Sequence, residues 1–246
     1  MAVLNNTGIR MGASASVMGT QDNPFTDFSD VSGSGIWYVQ PTGYTGSPFE
    51  TYIDVDTAGG PWALTWIVTN ANGDGDDWWD GDDSISGNSG TNHFTTVTTL
   101  GSTTNPTSKN NAKNPIFDYY EFTNMRIDEN HSDTTGTKTY ELNTTNTFKY
   151  HFDNQTGSDL VDSVLTTTGS FTTFNTSNLY FNYALDNDGA RIAAAGASSE
   201  ACGGIAARVD GYNGYDWKGN ITRNDSGRTY NSDGTTTDHT VWIWVK

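Results

Sequence analysis

Cysteine is nearly missing from this chain: Cys202 stands alone among 246 residues, which excludes an internal disulfide. Basic residues are also scarce, 12 against 29 acidic ones, for a formal net charge of −17. Nucleic-acid phosphates would be repelled, so no nucleic-acid partner is expected. No apolar run is long enough to span a bilayer, so no membrane insertion is expected. Met1-Ala2-Val3-Leu4-Asn5-Asn6-Thr7 is too polar to open a signal peptide. Together with the lone cysteine, it implies folding in a reducing cytosol, whatever the final location. Internal repeats are missing too, which removes support for solenoids and propellers.

Catalytic signatures are equally thin. His93, His131, His151 and His239 are scattered without the HExxH spacing of a metal site. There is no GxSxG elbow and no P-loop, and the Gly and Ala neighbours of Cys202 suit a packed small residue. Paired carboxylates of the glycosidase type stay open among 29 acidic residues, but the expectation is a non-enzyme.

What the chain does contain is aromatic and hydroxyl-rich. Charged residues are only 17% and aromatics 13%, so 8 Trp, 12 Tyr and 11 Phe supply a core, unlike a disordered acidic tail. The length fits one large all-β or α+β domain, or two small ones. Residues 1–30 have little periodicity, with a small-residue run at Gly12–Ser16 and a turn at Asp22-Asn23-Pro24-Phe25. They read as an N-terminal arm or attachment segment, with a domain over 31–246.

Ile36–Val39 predicts a short strand ending at Pro41. Phe49, Thr51, Ile53 and Val55 alternate with Glu50, Tyr52, Asp54 and Asp56, the period of a half-buried strand. Ala58-Gly59-Gly60-Pro61 is a turn, and Trp62–Val68 an apolar strand, completing a three-stranded meander. The stretch 70–83 then crowds Asp74, Asp76, Asp77, Asp80, Asp82 and Asp83 among glycines, which forbids a regular element. Oxygen ligands on a loop suit Ca²⁺, and Asp74, Asp76 and Asp80 are the candidate ligands. The EF-hand pattern is incomplete there, so a solvated acidic loop stays open beside the Ca²⁺ reading. Trp78 and Trp79 are divided between core and a sugar-stacking platform.

Asn114–Phe122 alternates as a strand leading to Met125-Arg126-Ile127, and Thr139–Phe152 predicts one or two strands. Leu160, Val161, Val164 and Leu165 have helical spacing behind a Ser158-Asp159 cap, which predicts one short helix. Asn178–Leu185 and Thr240–Lys246 read as strands, the latter tied into the sheet.

Three pieces in order, Ser34-Gly35-Ile36-Trp37-Tyr38-Val39-Gln40-Pro41, Pro48-Phe49-Glu50-Thr51-Tyr52-Ile53-Asp54-Val55 and Ala58-Gly59-Gly60-Pro61-Trp62-Ala63-Leu64, resemble the opening of a fibrinogen-related domain. Leu100-Gly101-Ser102 through Lys109, with Asn114-Pro115 and Phe117-Asp118, is similar to the intelectin branch. So are Tyr180–Ala190, the Cys202-Gly203-Gly204 region, Tyr215-Asp216-Trp217-Lys218-Gly219 and the last strand. The resemblance implies an α+β, β-rich fold: a fibrinogen-like domain with a twisted antiparallel sheet, few short helices and long loops. It also implies a Ca²⁺ site that holds sugar diols on the metal. Glu200 matches one ligand position and Asp216 is a second candidate, while Ala201 and Ser198 replace the family's His and Asn. Tyr215 and Trp217, with Trp78, are the candidate glycan contacts. Ile53 stands where the family has its first cysteine.

With the Thr, Asn and Gly content and no signal peptide, the chain resembles a bacteriophage virion structural protein, a tail fibre or capsid decoration. That resemblance implies folding in the host cytoplasm and display on the virion surface. It also implies an arm joined to other virion proteins, a homo-oligomer such as a trimer, and a host cell-surface glycan as ligand. A junction or decoration protein without a ligand, and a secreted-type lectin, are the alternatives.

Overall fold

The computed structural model describes residues 18–69, 99–130, 135–150, 158–160, 165–171, 178–182, 190–195, 201–207 and 240–246. In chain order the larger sheet takes β1 (Gly35–Val39), β2 (Phe49–Asp54), β3 (Trp62–Thr69), β4 (Ala112–Lys113), β5 (Asn124–Asn130) and β6 (Thr135–Leu142). A one-turn helix, α1 (Ile116–Tyr119), sits between β4 and β5. β7 (Ser158–Leu160) opens a smaller sheet, and β8 (Leu165–Phe171) returns to the larger one. β9 (Asn178–Asn182), β10 (Ala190–Ala195) and β11 (Ala201–Ala207) complete the smaller sheet, and β12 (Thr240–Val245) closes the larger.

The larger sheet has the order β1-β2-β3-β12-β5-β6-β8 with β4 beside β3, and the smaller β11-β10-β9-β7. Every strand pair is antiparallel. The protein is thus β-rich and antiparallel, as the alternation in 36–68 predicts, and the described helical content is short. No described helix is long and apolar enough to cross a membrane.

Period-two alternation sorts side chains onto two faces. One face gathers Ile53, Ala63, Trp66, Met125, Ile127, Tyr140, Val241, Ile243 and Val245 into the main core. Phe117 stacks obliquely on Trp66 at 4.7 Å, and Phe122 and Phe148 continue the aromatic row at 5.2 and 5.6 Å. The opposite face carries Trp62, Leu64, Ile67, Trp242 and Trp244, packed with Ala112 and Tyr52. β12 lies between both covers, so all six of its residues are buried and its sequence reads as an unbroken apolar run after Thr240. A bulge between Ile243 and Trp244 steps the pairing from Trp66 to Leu64, leaving Thr65 as the extra residue. That extra residue lets Leu64 and Trp66, two positions apart, face opposite sides while Thr65 turns to Asn114.

Two expected elements are corrected. Residues 116–119 form α1 rather than part of a strand. Pro115 has a helical φ of −67° and lacks the N–H a strand would need, and Asn114 Oδ1 accepts the Ile116 N–H at 3.1 Å. The helix expected across 158–165 is replaced at both ends by strand: Ser158–Leu160 pairs with β9 and Leu165 pairs with Leu142. Leu160 and Leu165 thus belong to strands of different sheets, and Val161 and Val164 lie outside the described residues. Thr139–Leu142 is strand as expected, but 148–150 is a helical turn.

Residues 18–30, the described part of the expected arm, belong to the folded body. Phe25, Phe28 and Val31 are buried in the main core. Phe25 pairs in parallel with Val39, and the Tyr120 hydroxyl donates to Asp27 Oδ1 at 3.3 Å. Burial, and then the Asp27 charge, push that hydroxyl up to about 12.

Candidate functional site

All eight predicted site residues, Asp74, Asp76, Trp78, Asp80, Glu200, Tyr215, Asp216 and Trp217, lie outside the described residues. The strands fix where their segments depart and return. Thr69 pairs with Thr240, Thr240 with Asn130, and Asn130 with Thr135. The chain therefore leaves β3 for 70–98 and re-enters β12 from 208–239 at one end of the sheet. Hydrogen-bonded neighbours there are about 5 Å apart. Glu200 directly precedes β11, whose first residue, Ala201, pairs with Ala195. Among the described residues no group of three or more His, Cys, Asp or Glu is arranged to hold a metal.

Within the described body, charge is concentrated around Arg126, which is only 3% exposed. Its Nη1 donates to Asp54 Oδ2 at 2.8 Å, while Nε and Nη2 approach Asp128 Oδ2 at 3.2 and 3.1 Å. The guanidinium lies 4.1 Å from the Trp244 ring centroid and 5.7 Å from that of Trp62. Asp54 Oδ1 also accepts the N–H groups of Asp56 and Thr57, and Asp128 Oδ1 accepts the Thr137 hydroxyl at 2.8 Å. Every carboxylate oxygen in the cluster is thus occupied.

The two carboxyls titrate in opposite directions. For Asp54, burial raises the carboxyl, but hydrogen bonds from Thr57 and Arg126 and the guanidinium charge outweigh it, and the net shift is downward. For Asp128 burial prevails over Arg126 and Thr137, and the net shift is upward. The Trp244 indole N–H makes no hydrogen bond of normal geometry, and acts on Asp128 as a weaker polar neighbour. Such divergence also marks acid–base pairs. Here the oxygens are consumed by internal donors, and the cluster binds β2, β5, β6 and β12 together as an electrostatic clamp.

Two further polar groups are buried against the other face. Lys113, with no exposed side-chain surface, meets both Asp118 oxygens at 3.1 and 3.0 Å, and its Nζ lies 4.9 Å from the Trp66 ring centroid. Asn114 Nδ2 donates to the Leu64 carbonyl and to Thr103 Oγ1, both at 2.8 Å, and its Oδ1 accepts from Thr65 and Ile116. This single amide closes the loop at 103 and the start of α1 onto β3.

Sequence reasoning missed the Arg126 clamp. Asp54 and Arg126 are far apart in sequence, and only the insertion of β12 between β3 and β5 sets their strands in one sheet. The available signal was local: Arg126 alternates with Met125 and Ile127, and Asp54 with Ile53, so each had to point away from the main core. No protein-family model matches the chain, and no curated protein gives a significant match.

Proposed function

We propose that this chain is a bacteriophage virion surface protein, of tail-fibre or head-decoration type. In this reading its β-rich body has a fibrinogen-related, intelectin-like fold and binds host surface glycans with Ca²⁺. The observation that carries the reading is the common end of β3, β12 and β5: the acidic–aromatic segment 70–98 and the aromatic segment 208–239 both spring from it. A binding protein gains from loops gathered at one end of a rigid sheet, because the scaffold bears the cost of positioning them. The fold reading is supported by the three resembling pieces, which supply β1, β2 and β3 as consecutive antiparallel strands. Ile53, at the family's cysteine position, is fully buried, so aliphatic packing serves where a staple would stand.

In this reading Asp74, Asp76 and Asp80, and Glu200 with Asp216, supply oxygen ligands to Ca²⁺, while Trp78, Tyr215 and Trp217 stack on sugar rings. Residues before 18 join other virion proteins. The role is recognition, with no reaction assigned. Thermal unfolding with Ca²⁺ and with EDTA tests the metal: the midpoint should fall on chelation, and an unchanged midpoint removes the metal. An array of bacterial surface sugars tests the ligand. Calcium-dependent binding abolished by Asp216→Ala and Trp217→Ala is expected. No binding above background would leave the alternative, a ligand-free junction or decoration protein, which the saturated Asp54 and Asp128 carboxylates suit.

A further inference from the structure

The two edges of the larger sheet are finished differently. At β1 the chain covers its own edge: the Tyr38 N–H donates to the Gly19 carbonyl, the Phe25 N–H to the Tyr38 carbonyl, and the Gln40 N–H to the Phe25 carbonyl. At β8 nothing among the described residues pairs with the outer edge. Leu165 to Gly169 bond inward to β6, and the Thr166 side chain bonds Asn143 at 3.0 Å. Thr166 and Thr168 are exposed, and Leu165 is buried and anchors the strand.

Exposed edges in monomeric proteins are ordinarily guarded by lysine, proline or a covering segment. β8 reads Leu-Thr-Thr-Thr-Gly-Ser-Phe, with neither charge nor proline, in a chain of net charge −17. Charge enters only one strand further in, at Lys138 and Glu141 of β6. Two copies of so acidic a chain can approach closely only where the surface is uncharged.

We infer that β8 is a self-association edge, whose occupant is β8 of a second copy paired antiparallel about a two-fold axis normal to the sheet. Such an axis keeps residues of the same face opposite one another. With Thr167 on the axis, Thr166 of one copy stands opposite Thr168 of the other, so the exposed hydroxyl rows continue across the seam and cross-strand Thr–Thr pairs form. Gly169, at φ +85°, departs from extended backbone and so ends the regular part of the outer edge, although the inner pairing with β6 runs on to Phe171; a Cβ at 169 would meet the Thr137 carbonyl oxygen at 2.2 Å. The paired segment is thus Leu165–Gly169, and the two-fold joins two eight-stranded sheets into one.

Sedimentation velocity of the full chain, from micromolar to millimolar concentration and at rising NaCl, tests this. A monomer–dimer equilibrium is expected, displaced toward dimer by salt because screening relieves the repulsion of two negative chains. Thr168→Lys and Thr166→Lys, at exposed positions, should each raise the dimer Kd at least tenfold with an unchanged circular dichroism spectrum. Each adds a positive charge to an acidic protein, so general electrostatics would act in the opposite direction. Ile36→Lys, on the covered β1 edge where Ile36 is 53% exposed, should leave the dimer intact. A monomer at the highest concentration, a closed trimer, or a dimer that survives both threonine substitutions would overturn the inference.

Discussion

Arg126 shows how much can depend on one residue. It is held by two carboxylates and lies against two indoles, and removing it would leave Asp54 and Asp128 facing each other at the clamp without their cation. Arg126→Ala should cost roughly 3 kcal/mol in urea unfolding, as expected when one partner of a largely buried ion pair is removed. Arg126→Lys should recover only part of this, because an ammonium cannot reproduce the fork that reaches both aspartates. The pH dependence separates the two acids. Asp54 lies below its ordinary 3.8, so its contribution is present above 3.8 and is lost as pH falls through the folded value. Asp128 lies above 3.8, so its contribution is full below 3.8 and is lost as pH rises through the folded value. Asp54→Asn should therefore flatten the acid side of the stability–pH curve. Asp128→Asn should abolish a decline that starts just above 3.8. Urea midpoints taken stepwise from strongly acid to neutral pH resolve both, and identical curves for the two variants would refute the assignment.

Among the elements, Asn114 is the joint. Asn114→Ala would strand the Ile116 N–H and the Thr65 hydroxyl in a buried place, while Thr51 still bonds the Leu64 carbonyl and the Thr103 hydroxyl, at roughly 2 kcal/mol or more given about 1–3 for each orphaned group. A loss below 1 kcal/mol would mean that water enters and replaces the amide. The same joint explains what was legible in the sequence. β1, β2 and β3 could be read because Gly and Pro punctuate a clean alternation whose partners are adjacent in sequence. α1 was hidden inside Asn114–Phe122 because its local pattern is strand-like, and Pro115 with the Asn114 side chain overrides it. The Leu160–Leu165 spacing misled for the converse reason: β9 and β6 supply backbone partners, and no local signal announces them. For the candidate site, residue chemistry was legible at 74–80 and 200–217, whereas the common origin of two of its segments came only from strand register.

At the scale of the whole molecule, the boundary of the folded body falls at or before residue 18. Deletion of residues 1–17 leaves every contact described for residues 18–31 in place. Deletion of 1–30 should lower stability by well over 3 kcal/mol, because it removes Phe25 and Phe28 from the core and uncovers the β1 edge. If particle attachment resides in the arm, the shorter deletion alone should abolish incorporation while the protein stays folded, a separation that particle sedimentation and circular dichroism read together. Equal midpoints for the two deletions would refute the packing argument.

β12 has a consequence in time rather than in space. The strand at the centre of the larger sheet is the last in chain order, and β3 and β5, made long before it, have no direct pairing with each other. During synthesis the two halves of the sheet wait with facing edges open until residues 240–245 arrive. Closing that long loop makes the native sheet a late and slow event. A ribosome stalled before residue 240 would therefore hold two unfinished sheet halves, sticky at their edges. Assembly is in this way coupled to translation of the β12 segment.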